Sequence, residues 1–368
     1  MIVEKIRVKN FRNIEECELN FSRGVNLLYG NNAQGKTNIV EALYIFSRGK
    51  SFRAREDSDL IKFGEEGFNI YIEYESNIGK ESLEYSLYGK ERQRKKNGYK
   101  IKKVSEMIGS FKSVLFYPDD LSLVKDGPEG RREFINVASS QCYPDYIKNY
   151  SNYKKALENR NCLLKMINKG FFVDRREIES WSESLAEYAS FIYISRIDFI
   201  KKLEGHSELF MKEISGEKEK LKIFLDSDID GEYINERKKV KDIYLNKLKE
   251  NLDREIGAGI TLYGPHRDDL KILINNKEAR IFASQGQQRS IVLSLKLAEG
   301  EVIKEISGEY PVFLFDDVLS ELDSERRKYI LSGKKDKQII ITSCSRDESD
   351  GFTDREIDVF GGKFEIKA

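Results

Sequence analysis

The chain is poor in the residues that make sites on their own. Its 368 residues include two histidines, four cysteines and one tryptophan. Cys17, Cys142, Cys162 and Cys344 stand far apart, with no paired or metal-ligand spacing, so neither a disulfide framework nor a zinc site is expected. Long apolar runs are missing too: none approaches the ~18 residues that cross a bilayer. The opening "MIVEKIRVKNFRN" alternates as a strand does and lacks the apolar stretch of a signal peptide. No membrane partner is expected, and a cytoplasmic location fits. Net charge is absent, with 63 Lys+Arg against 63 Asp+Glu, which excludes a chain that is basic throughout but allows a local basic patch. There is no internal repeat and no low-complexity segment. What is present is 39% apolar and 34% charged residues, in a chain long enough for two or three lobes.

The first thirty or so residues read as strand, turn, strand, closing in the apolar run "VNLLYG" (25–30). After Thr37, the residues Ile39, Ala42, Leu43 and Phe46 recur at helical spacing. Residues 68–104 read as β-hairpins, with Asn97-Gly98 as a two-residue turn. From Tyr143 to about Leu252 the pattern is helical and charged, Trp181, Leu185, Tyr188, Ile192 and Phe199 forming one apolar face and Tyr150, Tyr153, Leu157, Leu164 and Ile167 another. An α/β signal resumes at "AGITLYG" (258–264), with a helix from Ser290 and strands at 311–316 and 338–343. The expected organisation is an α/β domain over 1–142 and 256–368, with an α-helical insert at 143–255.

"GNNAQGKT" fits G-x-x-x-x-G-K-[ST] between an apolar strand and a helix. In such a loop the glycines let consecutive backbone N–H groups turn toward phosphate oxygens, and the helix N-terminus adds the positive end of its dipole. Gly30, Asn31, Asn32, Ala33, Gln34, Gly35, Lys36, Thr37 and Asn38 are the expected nucleotide-binding residues, Lys36 reaching the β- and γ-phosphates and Thr37 ligating Mg²⁺. In "YPVFLFDDVLSELD" (310–323) an apolar run ends in Asp316-Asp317. Such a run suits a strand buried on both faces of a parallel sheet, and ligands bind beyond the carboxyl ends of such strands. Two adjacent acids there are costly unless a cation or proton neutralises them. Asp316 is expected to hold Mg²⁺ through water and Asp317 to face the attacking water.

A second glycine motif, "SQGQQR" (284–289), stands just before an apolar helix face of Ile291, Leu295, Ala298 and Val302. Ser284 and Gly286, with Gln287 beside them, read as another anion site at a helix start.

"KERQRKKNGYKIKK" (90–103) carries eight Lys/Arg and one Glu. Arg92, Arg94, Lys95, Lys96, Lys100, Lys102 and Lys103 are the candidate DNA contacts. The alternative is an edge strand guarded by solvated lysines. Nothing suggests base readout, so binding should be sequence-independent and strongly dependent on salt. Arg131-Arg132 is a lesser candidate. In "GPHRDDL" (264–270) the group His266, Asp268 and Asp269 reads as a structural turn before it reads as a metal site.

Taken in order, the phosphate loop, the helical insert, the S-x-G-Q motif, the apolar strand with two acids and "SELD" resemble the ABC-type P-loop ATPase heads. More narrowly, "NFRN" (10–13), "GNNAQGKTN" (30–38), "VLFYPDDLSLVKDGPEGRREF" (114–134), "LENRNCLLK" (157–165), "GPHRDDL", "SQGQQR" and "LFDDVLSELD" (314–323) resemble the RecF family of bacterial recombination mediators across essentially the whole chain. The resemblance implies an ATPase head with a mixed sheet and β-hairpins, using ATP and Mg²⁺. It implies an ATP-dependent, head-to-tail homodimer in which Ser284 and Gly286 meet the partner's nucleotide, Asp323 lies at the seam and Arg12 contacts phosphates of its own subunit.

It further implies binding of duplex and single-stranded DNA, action in gap repair, DNA replication and the SOS response, a nucleoid-associated location, and RecR, RecO and RecA as partners. The sequence departs from the wider ABC pattern in two places. "VLFYPDD" carries Asp119 and Asp120 where a Gln is usual, and no His follows Thr342-Ser343. A transporter subunit is expected to carry both. An SMC-like head is expected to carry a longer coiled-coil arm than this insert supplies, and an ATP-gated nuclease an added acidic metal-binding domain. Where most ABC heads have Glu, this chain has Asp317, one methylene shorter, so slow hydrolysis is expected, with ATP serving as a switch.

Overall fold

A computed structural model describes residues 1–229, 236–331, 336–346 and 351–367. Along the chain run β1 (Ile2–Phe11), β2 (Ile14–Asn20), β3 (Val25–Tyr29), α1 (Lys36–Arg48), β4 (Gly67–Ser76), β5 (Gly79–Tyr88), β6 (Glu91–Lys96), β7 (Tyr99–Ile101) and β8 (Ser113–Phe116). Next come α2 (Ser122–Lys125), α3 (Pro128–Cys142), α4 (Tyr146–Asn168), α5 (Arg175–Ile214), β9 (Leu221–Asp226), α6 (Arg237–Glu250), α7 (Leu252–Ala258), β10 (Asp269–Ile274), β11 (Lys277–Glu278) and α8 (Ala279–Phe282). The chain closes with α9 (Gln285–Ser307), β12 (Val312–Asp316), α10 (Ser324–Leu331), β13 (Ile339–Ser343), β14 (Arg355–Phe360) and β15 (Lys363–Lys367).

Two compact units result, one of Met1–Leu121, Phe210–Lys218 and Gln285–Ala368, the other of Ser122–Leu209 and Glu219–Ser284. The first unit holds two six-stranded sheets. One is antiparallel, in the order β2-β1-β4-β5-β6-β7. The expected hairpins fall here, and the Asn97-Gly98 turn has positive φ at both residues, as a twist-matched hairpin turn requires. The other sheet runs β15-β14-β3-β13-β12-β8, parallel except for β15. Its central strands are the continuous apolar runs: every residue of β12 and β13 is buried, as two-sided burial demands. Helix α9 lies close on this sheet. A Cβ on Gly300 would come within 2.2 Å of the Phe313 ring, so only glycine admits that approach.

The second unit packs its apolar helix faces into one core around Tyr146, Tyr153, Leu185, Ile192, Tyr193 and Tyr244. Two fully buried arginines organise its polar interior. Arg196 donates to Asp268 at 2.6 Å, to the Pro265 carbonyl at 2.6 Å and to Asn136 at 2.9 Å. Arg160 donates to Glu255 at 2.7 Å, to Thr261 at 2.8 Å and to Ser182 at 2.9 Å.

The boundaries differ from those read in the sequence. The second unit begins at Ser122 and ends at Ser284, where the sequence suggested 143 and 255, and Phe210–Lys218 belongs with the first. The reason is long-range polar pairing: Arg131 on α3 chelates Asp269 at 2.7 and 2.9 Å, so both flanks of the helical region belong to it. Nor is the insert wholly helical. β9 pairs with β10, burying Leu221 and Ile223. "AGITLYG" is not a strand, since α7 ends there at the left-handed Gly259, and Thr261 and Leu262 give their N–H groups to Asn161 and Glu255. Helix α9 starts at Gln285, five residues earlier than expected, because Gln285, Gln287, Gln288 and Arg289 are good helix formers and Gly286 falls in the first turn, where its cost is smallest.

Candidate nucleotide-binding site

The phosphate loop connects β3 to α1, at the carboxyl ends of the parallel strands. Gly30 has φ +147, and a Cβ there would stand 2.3 Å from the Val359 carbonyl, so the loop passes β14 at backbone contact. The turn that follows β14 fastens the loop: Gly361 and Gly362 donate their N–H groups to the side chain and carbonyl of Gln34. From the other side, Asn13 donates to the Ala33 carbonyl at 3.0 Å and accepts from Asn38 at 2.6 Å. Lys36 is buried, its ammonium held by the carbonyls of Gly30 at 2.5 Å and Asn31 at 2.9 Å. The cavity over the loop is lined by residues 32–38, Arg53 and Asp317.

Strand register brings the acids to the loop. Phe315 and Asp316 of β12 pair with Ile341 and Thr342 of β13, and Thr342 pairs with Leu28 of β3. Thr37 and Thr342 both donate to Asp316 Oδ1 at 2.8 Å, and Thr342 accepts the Asp317 N–H at 2.9 Å. Burial pushes the Asp316 carboxyl above its ordinary range, opposed by the two threonine hydroxyls. A buried carboxylate whose side-chain donors, among the described residues, are two neutral hydroxyls fits a cation beside a phosphate loop. Asp317 has φ +55, uncommon for a non-glycine residue, and this left-handed turn gives its side chain a different direction from that of Asp316. Cys344, exposed just past β13, places Sγ 3.0 Å from Asn32 Oδ1 and 3.8 Å from Asp317 Oδ1.

A second layer lies behind α1. Arg12 grips the fully buried Glu41 through two hydrogen bonds, 2.7 and 3.0 Å, and donates to the Asp59 carbonyl at 2.8 Å. Arg53 donates to Glu41 at 2.7 Å and to Asn38 at 2.6 Å. Burial alone would raise the Glu41 carboxyl, but the hydrogen bonds from Arg12 and Arg53 take it below its ordinary range. Arg12, expected at the phosphates, is thus fixed by Glu41, while Arg53 lines the cavity. Sequence reading missed Arg53, Glu41, Asn13 and Cys344. Glu41 had a signal, being an acid inside an apolar helix stripe. Arg53 had none, standing in a loop with no motif.

Ser284 and Gly286 are exposed, and Gln287 is half-buried in the first turn of α9. Asp120 turns away from the cavity: it is buried, accepts the Tyr117 N–H at 3.0 Å and pairs with Lys296 of α9 at 3.2 Å. On the hairpin, Arg92 pairs with Asp57, Lys95 with Glu84 and Lys96 with Glu81, and Arg94 stacks on Tyr85. Lys100, Lys102 and Lys103 are exposed, and among the described residues no acid pairs with them. Arg131 is withdrawn as a DNA contact, because it is buried against Asp269. The "GPHRDDL" turn is structural: His266 bonds Tyr153 at 2.6 Å and the Thr261 carbonyl at 3.1 Å, and burial takes its imidazole down to about 4, so it is neutral at ordinary pH. Among the described residues no helix is long and apolar enough to cross a membrane.

The chain as a whole is similar to known proteins. The family described as RecF/RecN/SMC N terminal domain matches residues 2–362. The DNA replication and repair protein RecF of Clostridioides difficile is 40% identical over 365 residues, covering 98% of this chain and 96% of that protein. RecF of Ruminiclostridium cellulolyticum is 40% identical over 350 residues, covering 94% of each. Two solved structures of the recombination mediator protein RecF in the RecFOR pathway, RecF-ATPrS and RecF-ATP, superpose with TM-scores of 0.91 and 0.90 at 36% and 38% identity. Each covers 100% of this chain, which in turn covers 98% and 97% of theirs. An Smc head domain from Pyrococcus furiosus shares the fold, with a TM-score of 0.59 at 19% identity. With the family model matching residues 2–362 and relatives at 40% identity with near-complete coverage in both directions, the chain belongs to the RecF family.

Proposed function

We propose that this chain is an ATP-driven DNA-binding protein of recombinational gap repair. It binds ATP with Mg²⁺, dimerises head to tail, binds duplex DNA near single-strand gaps and, with RecR and RecO, assists RecA loading, serving DNA replication, repair and the SOS response. The observation that carries the reading is the convergence of Thr37 and Thr342 on Asp316 beside the phosphate loop, with Asp317 turned to the same cavity. The similarity to RecF structures with ATP supports the ligand, and the pathway those structures are described in supports RecO and RecR as partners.

Bound Mg²⁺–ATP supplies the reacting γ-phosphate, and this chain's residues bind, orient and move the proton. The Thr37 hydroxyl would hold Mg²⁺ directly and Asp316 would hold it through water. Lys36 exchanges its two carbonyl partners for phosphate oxygens. Asp317 accepts the proton of the attacking water, a general-base contribution worth roughly 10²–10⁴-fold. With the short aspartate side chain turnover is slow, and ATP acts chiefly as the link between protomers. Ser284 and Gly286, exposed at the tip of α9, meet the γ-phosphate held by the partner.

The test is sedimentation of the wild type, Lys36→Ala and Ser284→Arg with ATP, with and without gapped DNA. The wild type should dimerise with ATP, Lys36→Ala should lose nucleotide binding, and Ser284→Arg should bind ATP as a monomer. A wild type that stays monomeric under all conditions overturns the sandwich.

A further inference from the structure

Two elements of this head are placed by the proposed function at the partner's nucleotide: the tip of α9, with Ser284 and Gly286, and the "SELD" turn, with Asp323. They are separate in the chain. In the structure they are joined through one side chain, Arg326 on α10. Its Nη1 donates to Asp323 Oδ2 at 2.8 Å, and its Nη2 donates to Ser290 Oγ on α9 at 2.8 Å. Ser290 in turn donates to the carbonyl of Gly286 at 3.1 Å. Asp323 is fixed a second time, its Oδ1 accepting the backbone N–H of Arg326 at 2.9 Å as an N-cap of α10. An unbroken run of hydrogen bonds therefore leads from the "SELD" acid to the glycine of the second motif.

The geometry suits arginine in particular. The guanidinium is a rigid planar fork whose two ends serve two acceptors at a fixed angle, whereas an ammonium is a point charge on a flexible stem. The Ser290 end is buried, so removing its donor also exposes no easy substitute from water. A further anchor holds the same corner: Tyr329 of α10 donates to Glu213 and packs on Phe210, and Ser294 of α9 donates to the sulfur of Met211 at 3.6 Å. Both α9 and α10 are thus tied to the last turn of α5, and Arg326 ties them to each other near their functional ends.

We propose that Arg326 is a positioning residue that locks the α9 tip and the "SELD" turn into one rigid piece, so that both reach a second copy's nucleotide together. It does not line the cavity over its own phosphate loop. This rests on the ATP-sandwich reading, and it assigns the coupling of the two trans-acting elements to a side chain outside every motif.

The experiment compares wild type, Arg326→Gln, Arg326→Lys and Ser290→Ala. Three quantities are measured: Tm, binding of a fluorescent ATP analogue at protein concentrations where the chain is monomeric, and ATP-driven dimerisation by sedimentation. Monomer nucleotide affinity should stay within about twofold in every variant, since the phosphate loop does not use Arg326. Dimer affinity should fall at least about tenfold in Arg326→Gln, equivalent to ~1.4 kcal/mol. Arg326→Lys should recover little, because one ammonium does not serve both acceptors. Ser290→Ala, which cuts only the α9 end and keeps the N-cap, should give an intermediate loss. Should Arg326→Gln lower Tm, Ser290→Ala carries the test. A wild type that dimerises while the variants dimerise equally well overturns the coupling alone. A wild type that never dimerises overturns the sandwich and the coupling with it.

Discussion

Thr342 and Asp316 are joined by a hydrogen bond whose donor does double duty: the hydroxyl that donates to Asp316 Oδ1 also accepts the N–H of Asp317. One β13 side chain therefore sets both acids at the end of β12, the proposed metal ligand Asp316 and the proposed base Asp317 just past it. Replacing Thr342 with Val removes both bonds at nearly constant volume. Single-turnover ATP hydrolysis should fall by about tenfold or more, while ATP binding, carried by the phosphate loop, changes by less than about threefold. Thr342→Ser keeps the hydroxyl and should retain most of the rate. Equal losses in binding and hydrolysis would place Thr342 in general folding instead.

The thiols give a second check. Cys344 is exposed beside Asn32 and Asp317, whereas Cys142 is buried and burial pushes the Cys17 thiol up to about 12. N-ethylmaleimide should therefore modify Cys344 and the exposed Cys162 well before the other two. ATP with Mg²⁺ should slow the labelling of Cys344 by about fivefold or more, since a nucleotide in the loop covers the thiol, a binding effect that follows site occupancy. Cys162, on α4, should label at the same rate with or without nucleotide. Peptide mapping by mass spectrometry reads both sites in one sample, and unprotected Cys344 would place the nucleotide elsewhere.

How much of this could be read from the sequence depends on the range of the interaction. β3, the phosphate loop and the β12 acids were legible because apolar runs and glycine spacing are local signals. The unit boundaries were not, because they depend on pairs such as Arg196–Asp268, 72 residues apart, and Arg131–Asp269, 138 apart. β9 was hidden because its alternation is short and is embedded in helical sequence. Arg53 and Cys344 reach the site by loop geometry alone, and Arg326 looks like any charged residue of a surface helix until Asp323 and Ser290 are seen on either side of it.

Glu299 predicts a pH dependence of stability. It lies on α9, fully buried, 3.8 Å from Lys296, with Asp120 and Tyr44 also facing that ammonium. Burial pushes its carboxyl up from 4.5 to about 7, with Lys296 opposing and Asp120 adding to the rise. The folded state therefore holds this proton more tightly than the unfolded chain does. The stabilisation is full below about 4.5 and is lost as pH rises through about 7. Glu299→Gln keeps the shape without the charge. It should flatten that part of the stability–pH curve and raise stability at pH 8 by roughly 1–3 kcal/mol. Urea unfolding at several pH values measures this, and parallel curves for the two proteins would show that Glu299 stays ionised.

The basic hairpin separates into neutralised and unpaired cations, and that separation fixes where its share of the salt dependence should lie. Arg92, Lys95 and Lys96 already have carboxylates from neighbouring segments, so a phosphate must displace a partner to gain them. Lys100, Lys102 and Lys103 lie on and just beyond the edge strand β7, with Tyr99 exposed beside them. Each cation that meets a phosphate releases counterions, worth ~0.9 in the slope of log K against log salt for duplex DNA. Replacing Lys100, Lys102 and Lys103 together with Ala should lower that slope by roughly 2–3 units, measured by anisotropy with duplex and gapped DNA. Replacing Lys95 and Lys96 together should change it by less than about one unit, because ammoniums held by Glu84 and Glu81 neutralise few phosphates and so release few counterions. The loss should be the same for unrelated sequences, since no base edge is read. If the first variant kept its full slope, the hairpin would be an edge strand guarded by lysines, and the DNA path would lie on another face of the head.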